Sequence, residues 1–449
     1  MLAALPAAAK LPKLTVVMVA DGLDAYSIER VREDWQDGGL RTMVEHGTEG
    51  ECVFSMPVYG GNETTATLLT GELPAVHGIS MDRVFHVSDH KLHMTLEDKR
   101  SPGIGTSLML SPRSIKTPTL TDRVRLEYGE YAQLYAIGLD PTTTMIMAGH
   151  AANGCCWLDK QSLKWVTSSY YAKGLPSAAD ELNASGKIQQ AVNANKTKLL
   201  YPYIQNEQVV ELALNMQEAN RLGEDLVPDM LLLEFTTLPI GAQSDRIETE
   251  EHKEIYERLN VGLGLLISTL QARLGQTNVD FVLIGRPVYG IGIEALHRIG
   301  MAPMLFDADR MAALTNTYLM ALYGNERWVE GCYGQAIYMN RNLISRKKLS
   351  LAEIQQQVAQ FITEFEGVRS AFVGSEVAKT PLADMLSKQH TGDVVFTLET
   401  GWQLLERERV VEDHVVEEHP VSPVYIYSQH RQRLPERMEA TELLRWLEK

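Results

Sequence analysis

Nothing in this 449-residue chain stays apolar for the roughly 20 residues that a membrane helix needs, so no span is expected. Basic charge is also short: Lys+Arg total 42 against 58 for Asp+Glu, a formal net charge of −16. That balance disfavours nucleic acid or an anionic membrane surface as a main partner. Cysteine is scarce, at Cys52, Cys155, Cys156 and Cys332, and none forms the C-x-x-C pair of a zinc knuckle or redox centre. The vicinal Cys155 and Cys156 stand beside Trp157 and read as buried, unreactive thiols. The stretch GRPVYGIGIEALHRIG has a G-x-G but lacks the third glycine and the ribose-binding acid of a dinucleotide site, so it reads as a turn and helix start. The opening MLAALPAAAK has no basic leader and reads either as the trimmed remainder of a signal peptide or as a mobile N-terminus.

What is there is a chain built to fold. Its 45% hydrophobic and 22% charged content can bury a substantial core and argues against disorder. Apolar runs with the character of buried strands recur at KLTVVMVA, AQLYAIGL, TMIMAG, DMLLLEFTT, VDFVLIG, DVVFTL and VYIYS. Helical patterns separate them: TLTDRVRLEYGEY, NEQVVELALNMQEANRLGE, ETEEHKEIYERLNVGLGLLISTLQARLG and SLAEIQQQVAQFITEFEG. The last opens with Ser350 and Glu353 in capping-box register. Strands alternating with helices predict an α/β three-layer sandwich around a mostly parallel sheet. We expect its core in residues 13–314 and 376–449, with a smaller inserted lobe at 315–375, where the rhythm changes around QAIYMN and the basic RNLISRKK.

In such folds chemistry gathers at the carboxyl ends of strands, which here are VVMVADG, YAIGLDPTT, LLLEFTTLPIGA and FVLIGRPVYG. Asp21 closes the first of these, a common place for a metal-binding carboxylate, although a cap or turn role is the plainer reading. In VYGGNETTATLLTGELPAVHGI, Gly60 and Gly61 supply a strand-to-helix turn and Asn62 a cap candidate. A reactive hydroxyl would suit that helix start, where the dipole and free N–H groups favour negative charge. The residue at the turn is a glycine.

Four segments together carry a resemblance: VVMVADGLDAY, LRTMVEHGTEGECVFSMPVYGGNETTATLLTGELPAVHGIS, AGHAANGCCWLDKQSLKWVTSSYYAKGLP and GDVVFTLETGW. They resemble the alkaline phosphatase superfamily, and within it the bacterial alkaline phosphatases that share a core with nucleotide pyrophosphatases/phosphodiesterases. The resemblance runs from about Lys13 to the C-terminal helix. It implies two zinc ions held by aspartates and histidines, and a threonine or serine nucleophile that forms a phospho-enzyme. One metal would lower the nucleophile's pKa while the pair clamps the attacking and leaving oxygens.

Carried over position by position, the resemblance finds the first metal aspartate at Asp21 but the nucleophile at Gly61, nine residues before Thr70. Thr64 and Thr65 read as packing or capping hydroxyls inside the following helix. The D-x-x-x-H ligand pair falls on Leu238 and Ala242, and the second aspartate and histidine on Val288 and Tyr289. His414 and His419 are candidates for a last histidine. The phosphate-holding K-x-R pair falls on Asp140 and Thr142, and a cleft asparagine on Asp82. Asp82 and Asp140 together would repel a phosphate dianion.

The expected function is therefore a catalytically degenerate alkaline phosphatase-like protein, with no cofactor, whose cleft of Asp21, Gly61, Asn62, Asp82, Asp140, Thr142 and Tyr289 serves a small-molecule ligand or protein partner. The family implies a periplasmic or cell-envelope location. The alternative is an active metal-dependent ester hydrolase that gathers Asp21, Asp82, Asp140 and His414 around zinc and uses a metal-bound hydroxide. A third reading makes the chain a structural partner of an active relative.

Overall fold

The computed structural model describes residues 12–55, 61–80, 82–86, 89, 91–195, 198–239, 250–286, 291–292, 300, 302, 304–374, 376, 392–399, 402–406, 409–410, 414–415, 421–430 and 433–448. Val-rich and Leu-rich runs form its centre. Strands β1 (Leu14–Asp21), β2 (Thr48–Val53), β3 (Arg83–His86), β4 (Lys91–Met94), β5 (Gly103–Ile104), β6 (Leu134–Gly138), β7 (Gly154–Asp159), β8 (Lys164–Ser168), β9 (Asp229–Thr236) and β10 (Val279–Arg286) follow in chain order. The main sheet has ten strands, in the order Arg437–Glu439, β2, Val421–Tyr427, β10, β1, β9, β6, β7, β8, β5. Its five middle strands, β10-β1-β9-β6-β7, run parallel. The antiparallel partners Val421–Tyr427 and β8 flank them.

β1 shows why both faces must be covered. Val17 and Val19 join one apolar cluster, with Ala66, Leu68 and Leu69 of helix Gly61–Thr70 and Met145 to Ala148 of helix Pro141–Ala148. Val16, Met18 and Ala20 join the opposite cluster, with Val209 and Leu212 of helix Pro202–Asn220 and Tyr256, Leu259 and Leu263 of helix Glu250–Leu274. A period-2 strand thus feeds two helical layers, the expected α/β sandwich. A third cluster, from Phe306 to Leu404, is built on the four-stranded sheet that contains Ala336–Met339 and Val394–Leu398. Ser350 caps its helix Leu351–Ile362 by accepting from the Glu353 N–H at 3.4 Å. The free cysteines are all buried, and burial pushes the Cys156 thiol up to about 12.

TMIMAG departs from expectation: it is helix, not strand. Asp140 caps it, one carboxylate oxygen accepting from the N–H groups of Thr142 at 2.9 Å and Thr143 at 2.8 Å, and Pro141 fills the first turn where no N–H is needed. The helix is buried from Thr142 to Ala148, which removes the polar stripe that would have revealed its period.

The motifs that carry the resemblance are scaffold hydrogen bonds. His77 lies fully buried, its Nδ1 accepting from the Ile79 N–H and its Nε2 donating to Thr67 Oγ1 at 3.1 Å. Burial lowers its pKa to about 3, which keeps the ring neutral. Gly149 turns with φ +62°, and a Cβ there would lie 2.1 Å from Thr119 Oγ1. After it His150 Nδ1 donates to Asp122, while Tyr171 donates to the Gly149 carbonyl at 2.6 Å. Asp140 also works as scaffold, which separates its cap from its charge. Asp140→Ala loses both and Asp140→Asn only the charge, so urea unfolding should find the alanine variant less stable than the asparagine variant by about 1 kcal/mol.

Candidate functional site

The carboxyl ends of β1, β9 and β10 meet the first turns of helices Gly61–Thr70 and Pro141–Ala148, and an arginine fills the junction. Parallel register sets Arg286 of β10 beside Asp21 of β1, and Val19 of β1 beside Glu234 of β9. The Arg286 side chain is 6% exposed and its Nε donates to Asp21 Oδ1 at 3.1 Å. Its Nη1 donates to Thr143 Oγ1 at 2.8 Å, Thr65 Oγ1 at 3.2 Å and the Gly61 carbonyl at 3.3 Å. Its Nη2 lies 3.6 Å from Glu234 Oε1. One planar cation therefore ties three strands to two helix starts.

Glu234 sits within a strand that is otherwise apolar along most of its length, 3% exposed at its side chain. Its Oε2 accepts from the N–H groups of Leu139 at 2.8 Å and Asp140 at 2.9 Å, and from Thr144 Oγ1 at 3.2 Å. This approach needs Gly138, because a Cβ there would stand 2.5 Å from Glu234 Oε2 and 2.0 Å from Thr144 Oγ1. Burial raises the Glu234 pKa to about 7, the nearby Arg286 charge opposing that rise.

Gly61 opens its helix, and its carbonyl also accepts from Thr64 and Thr65 at 2.8 and 2.9 Å. A Cβ on Gly61 would lie 2.8 Å from Arg286 Nη1 and 2.9 Å from Cζ. The space next to the glycine is the space the guanidinium fills. Asn62 is not a cap: it is the second helical residue, and its side chain reaches across to the Asp82 carboxylate and accepts from Thr143 Oγ1 at 3.3 Å. Asp82 is exposed as a residue, but the environment of its carboxyl end raises its pKa, burial first and the Asp140 charge next.

Asp21, Gly61, Asn62, Asp82, Asp140 and Thr142 thus border or build one region, with Thr142 buried and engaged through its backbone by Asp140. Among the described residues Asp21, Asp82 and Asp140 do not bring ligand atoms close enough to share an ion. Leu238 packs by Gly22, within 2.4 Å of where its Cβ would be. Ala242, Val288, Tyr289 and His419 lie outside the described residues, and of His414 only the backbone pairing with Gly292 is described. Sequence reasoning passed over Arg286, Glu234 and Thr143. The signal was there: a glutamate interrupting LLLEFT demands a buried counter-cation, and Arg286 ends the strand on the other side of β1.

Residues 15–421 match the family model described as type I phosphodiesterase / nucleotide pyrophosphatase. Alkaline phosphatase PafA of Elizabethkingia meningoseptica is 22% identical over 400 residues, covering 77% of this chain and 72% of that protein. Alkaline phosphatase PhoV of Synechococcus elongatus is 21% identical over 452 residues, covering 87% and 80%. The crystal structure of wild-type PafA superposes with a TM-score of 0.83 at 18% identity, over 97% of this chain and 95% of that one.

The raised pKa of Glu234 has a sign that can be measured. The folded state holds a proton between the ordinary value of 4.5 and about 7 that the unfolded state has released, so this group's contribution to stability falls as pH rises through that window. Thermal melts from pH 5 to pH 8 should show Glu234→Gln with a smaller decline than the wild type; identical slopes would rule out the protonated carboxyl.

Proposed function

The chain belongs to the type I phosphodiesterase / nucleotide pyrophosphatase family, and from that premise we propose that it is a member that has given up hydrolysis and uses the fold to hold a ligand or a protein partner. The observation that carries this reading is the Arg286 guanidinium, ion-paired with Asp21 and packed against the turn at Gly61. Family chemistry needs a hydroxyl at that turn and metal at that aspartate. Here the first has no side chain and the second pairs with a built-in cation.

The donor set that remains does not fit a zinc pair. Asp21 is committed to Arg286, and Leu238 and Ala242 offer no lone pair where the resemblance implies an aspartate and a histidine. Burial and the neighbouring Asp140 charge raise the Asp82 pKa, so the surroundings of these two acids resist added negative charge and suit a neutral or cationic ligand better than an anion. Among the described residues no helix is long and apolar enough to cross a membrane, and likeness to the bacterial alkaline phosphatases supports a periplasmic or envelope location.

Protein purified from a host lacking its own phosphatases should turn over neither phosphate monoesters nor diesters with added zinc. Turnover by the wild type that Asp21→Ala abolishes would refute the reading. Gly61→Thr should not restore activity and should lower stability by about 1 to 3 kcal/mol, because its Cβ meets the guanidinium 2.8 Å away. Chemical denaturation reads the second effect independently of the first.

A further inference from the structure

The hairpin that leaves the cleft after Asp82 carries a separate constellation. β3 and β4 pair antiparallel with Val84 opposite His93 and His86 opposite Lys91, so His86 and His93 are diagonal neighbours on one face. Their rings stack with centroids 4.3 Å apart. Asp89, in the connection between the strands, lies with a carboxylate oxygen 2.8 Å from His93 Nε2. One potential ligand atom from each of His86, Asp89 and His93 falls within 4.8 Å of the others, the only such set of three or more among the described residues.

We propose that His86, Asp89 and His93 bind one divalent transition-metal ion of the zinc class, at a site separate from the family's catalytic centre. Two imidazoles and one carboxylate suit zinc, cobalt, nickel or copper, whereas calcium and magnesium take oxygen ligands. The second observation is Glu97. Its carboxylate lies 3.0 Å from His93 Nδ1 and accepts that N–H, which aims Nε2 at Asp89 and His86. A carboxylate holding the far nitrogen of a metal-binding histidine is the usual outer support of such sites. In the ion-free protein both ring nitrogens face carboxylates, and a dication takes the place of the Nε2 proton, which leaves to solvent.

The hairpin is also held in place. His93 is 8% exposed, so one ligand is fixed in the structure while His86 and Asp89 stay open to an arriving ion. On the other face Phe85 stacks on Tyr333 at 4.1 Å with the planes 13° apart, and lies 4.9 Å from Tyr338. Ligand atoms bound tetrahedrally at about 2.0 to 2.1 Å would stand roughly 3.4 Å apart, a small opening of the Asp89–His93 contact and a small closing elsewhere. Three protein ligands leave a position for water.

The test uses the full chain, stripped with chelator and titrated with zinc against a chromophoric competitor, with cobalt as a second probe whose visible bands report coordination. One ion per chain is expected, with unchanged binding in Asp21→Ala. His86→Ala and His93→Ala should each abolish it, and Glu97→Gln should keep the stoichiometry while weakening affinity about 10-fold to 100-fold. If His93→Ala fails to fold by circular dichroism, the exposed His86→Ala carries the result. No bound zinc in the wild type, full binding in His86→Ala, or loss in Asp21→Ala would each overturn the proposal. The last would also place metal in the cleft, while turnover assays judge the catalytic reading separately.

Discussion

A single positive charge at the ends of three strands organises this part of the molecule. Glu234 is almost fully buried and Asp21 two-thirds so, and Arg286 is the cation that both face. Taking a carboxylate out of water costs several kcal/mol unless a partner and hydrogen bonds offset it. Glu234 has both, with two backbone N–H groups and a hydroxyl on one oxygen and the guanidinium by the other. Remove the cation and the carboxylate must take up a proton or draw in water. The surrounding choices follow from this: Gly138 so that Glu234 can approach, Gly61 so that the guanidinium can lie flat against the helix start, Thr65 and Thr143 to take its remaining N–H groups.

How much of this could be read from the chain alone differed by the kind of interaction. The sandwich was legible because the buried strands stand out as short Val-, Ile- and Leu-rich runs between long helical patterns, and because the motif around His77 encodes a local hydrogen bond at fixed spacing. TMIMAG failed that reading: a helix buried on every side has no polar stripe, and only Asp140-Pro141 marked its start. That Gly61 stands where the resemblance implies a hydroxyl was legible as well. What fills the space beside it was not. Arg286 and Glu234 are 52 positions apart in sequence and join only through the register of strands on either side of β1, which no local pattern contains.

Whether a fixed guanidinium could do the work of a metal ion in a reaction is a question of geometry. A metal ion that activates a hydroxyl must touch it and keep a further position open to the leaving oxygen. Arginine offers no such position. Its charge is spread over a plane, its N–H groups only donate, and here Nε, Nη1 and Nη2 already face oxygens of Asp21, Gly61, Thr65, Thr143 and Glu234. To receive a phosphoryl oxygen it would have to give up contacts that hold a buried carboxylate. Burial and the Asp140 charge also raise the Asp82 pKa, so that side of the region resists added negative charge. The contacts by which Arg286 stabilises this region are the same ones that an incoming oxygen would have to displace.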